Sequence, residues 1–360
     1  MTTNFAAYLD DQDLIRMEGG ESVMASLPFT LMSGSKTIEL LPTEEEKTLR
    51  SPLPIDLSQS YTLSNAKGET CLLHYRDIVR QPIFDQLYAY DGEDLGAHYS
   101  REKTTFAFWA PISQEVQLLI NQTVYPMERT EKGVWRIELE GDWGKASYYY
   151  QHQVNGVTHI VHDPYALSSE ANSGASYVVD RHKIERPIQR ATTQLDPTQA
   201  IIYELSVRDF SMQKEAGFHH PGTFPALLES PKHGEQTFGF DYLKSLGITH
   251  IQLLPLYDFG SVDETNPTAG YNWGYDPVQY NVPEGSYALD PQDGYSRVKE
   301  CRHMVSTLHQ KGLRVVMDVV YNHMYDYYTS AFERTVPGYY FRKNQYGEMS
   351  NGSWCGNDLE

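Results

Sequence analysis

Apolar and polar positions alternate in short runs through the first 85 residues, with the clearest runs at 7–9, 14–17, 37–41 and 72–75. Alternation at period two predicts half-buried strands, and loops such as Ser51-Pro52-Leu53-Pro54 separate them. A small β-rich unit over 1–88 is therefore expected. From about residue 90 the alternation sharpens. Runs at 104–111, 116–120, 134–139 and 147–154 each read as a strand, and Asn155-Gly156 joins the last of them to a return strand over 157–161. Asn-Gly between alternating runs is a strong hairpin signal, and evenly spaced strands predict a β-sandwich over 89–185 that closes its own core. A weakly patterned connector runs from His162 to about Leu195. Beyond it the period changes. A strand over 200–207 is followed by a short helix from Phe240 that stops at Gly247, and then by a strand over 248–255. Val298, Cys301, Met304, Val305 and Leu308 stand at helical spacing before Lys311-Gly312, and an apolar run follows from Leu313. Strand, helix, strand, helix, strand is a parallel β/α series, assigned to 186–360.

Two stretches in this series carry chemistry. The run Arg314-Val315-Val316-Met317 has the character of a parallel strand buried on both faces. Asp318 interrupts it and Tyr321-Asn322-His323 close it. Polar groups gathered at the C-terminal end of a parallel strand mark the functional face of a (β/α) barrel. The plainer alternative is a histidine satisfied in the core and a carboxylate bonded to the next loop. Between the second strand and its helix lies a loop of about forty residues, a length that in a compact domain usually serves function. It contains Tyr271-Asn272-Trp273-Gly274-Tyr275-Asp276-Pro277. Rings that can stack on apolar sugar faces, with an amide and a carboxylate to bond hydroxyls, suit a carbohydrate. The alternative is a Tyr-rich loop that packs on itself.

Composition narrows the field. The formal net charge of -19 argues against nucleic acid and anionic membranes as partners. No apolar run approaches membrane-spanning length. Cys71, Cys301 and Cys355 form an odd, scattered set without metal-ligand spacing. Reduced thiols, with no basic and apolar leader at Met1, lead to the expectation of a cytoplasmic protein.

The chain resembles the type I pullulanases, glycoside hydrolase family 13 of the α-amylase superfamily. The seven residues from Tyr271 to Pro277 resemble that family's diagnostic motif, and Asp318-Val319-Val320-Tyr321-Asn322-His323 is similar to the superfamily's first shared region. Ile202-Tyr203-Glu204 and Arg208-Asp209-Phe210 resemble the first barrel strand, and residues 336–342 and 350–358 the stretch after the third. Residues 89–185 are similar to a family 48 carbohydrate-binding module. The resemblance implies a (β/α)8 TIM barrel behind all-β N-terminal domains, and hydrolysis of α-1,6 branch links in pullulan, limit dextrin or glycogen. By position, Tyr275 would be the platform under the sugar at the cleavage subsite. His323 would bond that sugar's hydroxyl and support the transition state, and Asn272 and Trp273 would shape the branch-binding wall. Asp318, with Asn322 and Asp276, would support the site. Asn322 also matches a position that binds calcium in some amylases; no further residues assemble a metal site, so no cofactor is expected.

The resemblance stops short of the chemistry. Retaining hydrolysis needs a nucleophile and an acid/base carboxylate about 5–5.5 Å apart. The family places them after the fourth and fifth barrel strands, and neither motif is found here. Glu204, Asp209 and Asp318 do not match those positions. The expectation is a barrel truncated after its third strand, with nucleophile and acid/base beyond the end of this chain, and no activity from these 360 residues alone. The alternatives are a non-catalytic glycan-binding fragment, or another debranching or branching enzyme such as isoamylase.

Overall fold

The computed structural model describes residues 5–20, 23–184, 190–191, 195–344 and 347–360. The first unit is a closed barrel. Its strands are β1 (Phe5–Leu9), β2 (Leu14–Gly19), β3 (Phe29–Ser33), β4 (Lys36–Pro42), β5 (Thr48–Arg50), β6 (Thr62–Ser64) and β7 (Thr70–Tyr75). The order is β1-β2-β5-β4-β3-β6-β7, closed by parallel pairing of β1 with β7. Four of these seven coincide with the alternating runs. β5 and β6 have three residues each, too short to show a period. Closure leaves no free edge, and Ala7, Leu9, Ile15, Leu31 and Leu49 fill the interior without exposure. Helix α1 (Pro82–Tyr88) follows, with Pro82 in its first turn, where no amide partner is needed.

The sandwich comes next. One sheet has the order β12-β13-β9-β8 and the other β11-β10-β14-β15, with β16 also pairing β14. The strands are β8 (Gly96–Tyr99), β9 (Lys103–Trp109), β10 (Glu115–Ile120), β11 (Thr123–Pro126), β12 (Glu128–Arg129), β13 (Val134–Glu140), β14 (Ser147–Val154), β15 (Val157–Val161) and β16 (Ser176–Tyr177). The expected turn forms: Asn155 and Gly156 both have positive φ, at 51° and 75°, as a tight hairpin requires. In β14 every second residue, Tyr148, Tyr150, His152 and Val154, points inward. Phe106 and Phe108 of the facing sheet meet Tyr148 and Tyr150 at 5.0 and 4.3 Å between ring centres.

After helix α2 (Arg181–Ile184) the parallel series begins. It comprises β17 (Ile202–Leu205), a small hairpin of β18 (Lys232–His233) and β19 (Gln236–Thr237), helix α3 (Gly239–Ser245) and β20 (His250–Leu253). A two-stranded excursion, β21 (Tyr257–Phe259) with β22 (Pro277–Pro283), precedes helix α4 (Gly294–Gln310) and β23 (Arg314–Met317). The sheet order is β17-β20-β23, all parallel. Leu205, Ile251 and Leu253 are buried under Leu243 of α3 and Met304 and Leu308 of α4. The long loop is thus not structureless, because β21 and β22 brace its ends.

Two expectations are corrected. The run at Arg314–Met317 is not buried on both faces: its first three residues are half-buried and Met317 is 47% exposed. Among the described residues β23 pairs only with β20. Asp318 lies just past the strand end, half-buried rather than inside a dry run. Nor does the sandwich close its core alone. Ala331 of helix α5 (Ala331–Thr335) belongs to the sandwich core, and Val336 belongs to the core of the N-terminal barrel. Tyr339 and Tyr340 pack on Trp109 at 5.4 and 6.2 Å, and Arg80 donates to the carbonyls of Gly338 and Phe341. The segment after β23 is therefore a wedge between the two N-terminal units.

Candidate functional site

The C-terminal ends of β20 and β23 bring the two polar stretches together. Asp318 follows β23 directly, and its amide donates to the Leu253 carbonyl at the end of β20 (3.1 Å). The Tyr275 hydroxyl donates to Asp318 Oδ2 at 2.6 Å. That bond ties the aromatic loop to the strand end. Partial burial, then the neighbouring carboxylate, push the Tyr275 phenol up to about 12, so it stays protonated and donating at neutral pH. The ring remains 39% exposed.

His323 is buried beneath this platform. Its Nε2 lies 2.8 Å from the Tyr275 carbonyl oxygen and its Nδ1 lies 3.0 Å from Asn322 Oδ1. Tyr280 donates to the His323 carbonyl (2.5 Å). In this state both ring nitrogens are engaged by the protein, the arrangement of a satisfied core histidine. Asn322 is exposed, and among the described residues its side chain meets the His323 ring.

Asn272 likewise spends its polar groups on the loop. Its NH2 donates to the Gly260 carbonyl and to Asp276 Oδ1, both at 2.6 Å, and its oxygen accepts from the Gly274 amide at 2.8 Å. Asn272 therefore braces the turn instead of offering free donors to a ligand. Burial raises the Asp276 carboxyl while the Asn272 bond opposes the rise. Gly274 has φ +92° and a Cβ there would stand 3.0 Å from the Pro255 carbonyl, so the motif needs glycine. The turn leaves Tyr271 and Trp273 facing solvent, 53% and 59% exposed. They are not loose: Trp273 Nε1 donates to the Tyr271 hydroxyl, and that hydroxyl donates to Asp209 Oδ2 (2.6 Å). Arg208 lies 5.0 Å from the Tyr271 ring centre. Loop self-packing and an exposed aromatic surface are both present.

What holds the loop at its base escaped the sequence reading. Asp258, Glu264 and Glu284 are buried, each with a carboxylate oxygen within 4.8 Å of the others. Arg297, wholly buried, meets Glu264 at 2.6 Å and Asp258 at 3.5 Å. Three carboxylates this close together, with one guanidinium against two of them, cannot all stay ionised in a dry interior. Burial drives Asp258 well above its usual range, with Glu284 and Glu264 adding to the rise, and pushes Glu284 to about 7. Such a cluster could hold a cation; here the guanidinium supplies positive charge from within the chain. Glu264 also accepts from the amides of Gly285 and Asn172, and Arg297 reaches Ser169 Oγ, so the cluster pins the loop to the tail of the sandwich. One signal was available: Arg297 stands four, seven and eleven residues before Cys301, Met304 and Leu308, on the apolar stripe of α4, where an arginine must find a buried partner.

Below this surface, Gln252 of β20 donates to Glu204 of β17 at 2.7 Å. Glu204 and Asp209 thus lie in different settings: Glu204 on the sheet, and Asp209 under Tyr271 in the loop after β17.

A β-sandwich followed by parallel β/α units, with exposed aromatics and polar groups at the strand ends, is an arrangement that suits carbohydrate binding. Comparison with known proteins agrees. "Carbohydrate-binding module 48 (Isoamylase N-terminal domain)" matches residues 94–166 and "Alpha amylase, catalytic domain" matches 237–354. The pullulanase of Bacillus subtilis (strain 168) is 34% identical over 99% of this chain and 52% of its own length. Pullulanase 1, chloroplastic, of Arabidopsis thaliana is 32% identical over 76% of this chain and 34% of its own. Among solved structures, the pullulanase of Anoxybacillus sp. LM18-11 complexed with maltotetraose superposes with a TM-score of 0.92 at 39% identity, covering 98% of this chain and 53% of that one. The pullulanase type I of B. subtilis complexed with maltose gives 0.91 at 34% identity, covering 100% and 52%. The chain belongs to the type I pullulanases of glycoside hydrolase family 13, and corresponds to their N-terminal portion. It spans about half the length of the bacterial relatives and about a third of the Arabidopsis one.

Proposed function

We propose that this chain carries the glucan-binding face of a starch-debranching glycosidase acting on α-1,6 links in pullulan, limit dextrin or glycogen. The observation that carries the reading is the Tyr275–Asp318 bond with His323 packed beneath it, at the C-terminal ends of two adjacent parallel strands. In this reading β17, β20 and β23 are the first three strands of a (β/α)8 barrel. Residues 1–88, 89–185 and 186–360 are its three units, a division that the three sheet systems support. Tyr275 and Trp273 supply stacking surfaces. His323 acts through Tyr275, whose backbone it holds, and reaches a sugar hydroxyl only after its ring exchanges a partner. Asn272, Asp276, Asp318 and Asn322 support the loop and strand ends. Nucleophile and acid/base carboxylates would come from later strands of the family's barrel, so this chain binds glucan and does not cut it. Two relatives crystallised as complexes, the Anoxybacillus enzyme with maltotetraose and the B. subtilis enzyme with maltose, support an α-glucan as ligand.

The test is direct. Titration of the chain with maltotetraose in a calorimeter should give saturable binding that Tyr275→Ala weakens. Incubation with pullulan should release no reducing ends above buffer. Maltotriose release would mean that a carboxylate pair exists among these residues. We further propose cytoplasmic residence, supported by three free cysteines; no helix among the described residues is long and apolar enough to cross a membrane. Fractionation of the native protein to the cell exterior would contradict it.

A further inference from the structure

The most exposed large apolar side chain among the described residues is Trp354, at 91%. Its backbone has φ +62°, a left-handed conformation that glycine adopts freely and a bulky aromatic rarely does. Holding tryptophan here is unfavourable twice, once in the backbone and once in the hydration of a large apolar ring. Strain that the surrounding structure over-determines points to function. The surroundings do over-determine it. Asp358 accepts from Ser350 Oγ (2.5 Å), the Gly352 amide (2.6 Å) and the Ser353 amide (2.7 Å). Asn351 Oδ1 accepts from the Gly356 amide at 2.7 Å, and the Trp354 amide reaches the Asn351 carbonyl at 3.3 Å. The turn is rigid, so the indole is presented at little entropic cost on binding.

The turn is also anchored at the site. Asn357, buried, grips both backbone groups of Met324, accepting from its amide (2.9 Å) and donating to its carbonyl (2.8 Å). Met324 follows His323, and the Leu359 amide donates to the Asn322 carbonyl at 3.0 Å. Two residues separate Trp354 from Asn357, so their Cα atoms are at most about 11 Å apart. The turn that carries the indole is therefore tied to Asn322 and Met324, the residues on either side of His323.

We propose that Trp354 is a stacking platform for an outer glucose unit of an α-glucan chain whose inner unit lies on Tyr275. The inference rests on the glucan-binding reading above and extends it to oligosaccharides longer than the inner site can hold. An indole on a fixed turn offers a flat apolar face to the C–H face of a sugar while its neighbours remain in water.

The test uses the 360-residue chain with maltotriose and maltohexaose in a calorimeter. Trp354→Ala should weaken maltohexaose by about fivefold or more, leave maltotriose within twofold, and be largely rescued by Trp354→Phe. Tyr275→Ala should weaken both. Equal maltohexaose affinity for Trp354→Ala and the unchanged chain, with Tyr275→Ala still weakened, overturns this inference alone. A concentration-dependent dimer that Trp354→Ala disperses, with sugar affinity unchanged, overturns it in favour of a contact between copies. No binding of either sugar by the unchanged chain overturns this inference together with the glucan reading.

Discussion

The sandwich and the parallel sheet are built from equally apolar strands, yet they bury them very differently. In β10 the inward residues Val116, Leu118 and Ile120 have no exposure at all. In the parallel sheet Ile202 of β17 is 54% exposed and Met317 of β23 is 47% exposed. The sandwich strands have a second sheet across from them and close aromatic partners. Among the described residues β17 and β23 are the outer strands of a three-stranded sheet, covered by helices on one face only. The lesson is that strand character belongs to a segment, whereas burial belongs to its neighbours. The two regions are nonetheless not independent. The wedge after β23 fills gaps in both N-terminal cores, and the Arg297 cluster joins α4 to the tail of the sandwich.

The sharpest way to break that coupling is Arg297→Ala. It leaves Asp258 and Glu264 without their cation in a dry pocket, and the loss should be about 3–5 kcal/mol in urea unfolding. Two resolved transitions in the variant would show that the cluster is what makes the regions unfold together. A change well under 1 kcal/mol would mean that protonation compensates fully.

Next comes Leu118→Ala in the sandwich core, expected to cost roughly 2–5 kcal/mol. Its counterpart in the parallel sheet, Met317→Ala, should cost less than about 0.5 kcal/mol, because the side chain is already half in water. Equal losses at the two positions would remove the contrast.

Acidity should act on the two regions in opposite directions. Burial raises Glu284 to about 7 from 4.5, so the folded state binds the proton more tightly than the unfolded one. Its contribution is full below about pH 4.5 and is lost as pH rises through 7. His152 in the sandwich is buried and depressed to about 3 from 6.5, with Nδ1 bonded to Ser113. Its contribution is full above 6.5 and is lost as pH falls towards 3. Melting temperatures between pH 4 and 8 should therefore fall less with rising pH in Glu284→Gln, and less with falling pH in His152→Gln. Parallel curves for variant and unchanged chain would refute either assignment.

The smallest effect is expected at Val319, 43% exposed beside the site. Val319→Thr should leave stability within about 0.5 kcal/mol.

The sequence by itself determined the elements and the hairpin. The alternation in β14, the Asn155-Gly156 turn and the helical spacing from Val298 to Leu308 are local properties of backbone sterics and side-chain period. The residues from Tyr271 to Pro277 were legible as an aromatic, carbohydrate-suited loop for the same reason: seven consecutive residues carry the signal. Tertiary structure alone decided how their polar groups are spent. Asn272 and His323 offer hydrogen-bonding atoms in sequence, but Gly260, Gly274, Asp276 and the Tyr275 carbonyl take them up in the fold. It also decided that Asp258, Glu264, Glu284 and Arg297, spread over forty residues, share one dry pocket, and that Ala331 and Val336 complete cores begun more than two hundred residues earlier. Hydrogen-bond satisfaction and burial are sums over neighbours in space, and no window along the chain contains those neighbours.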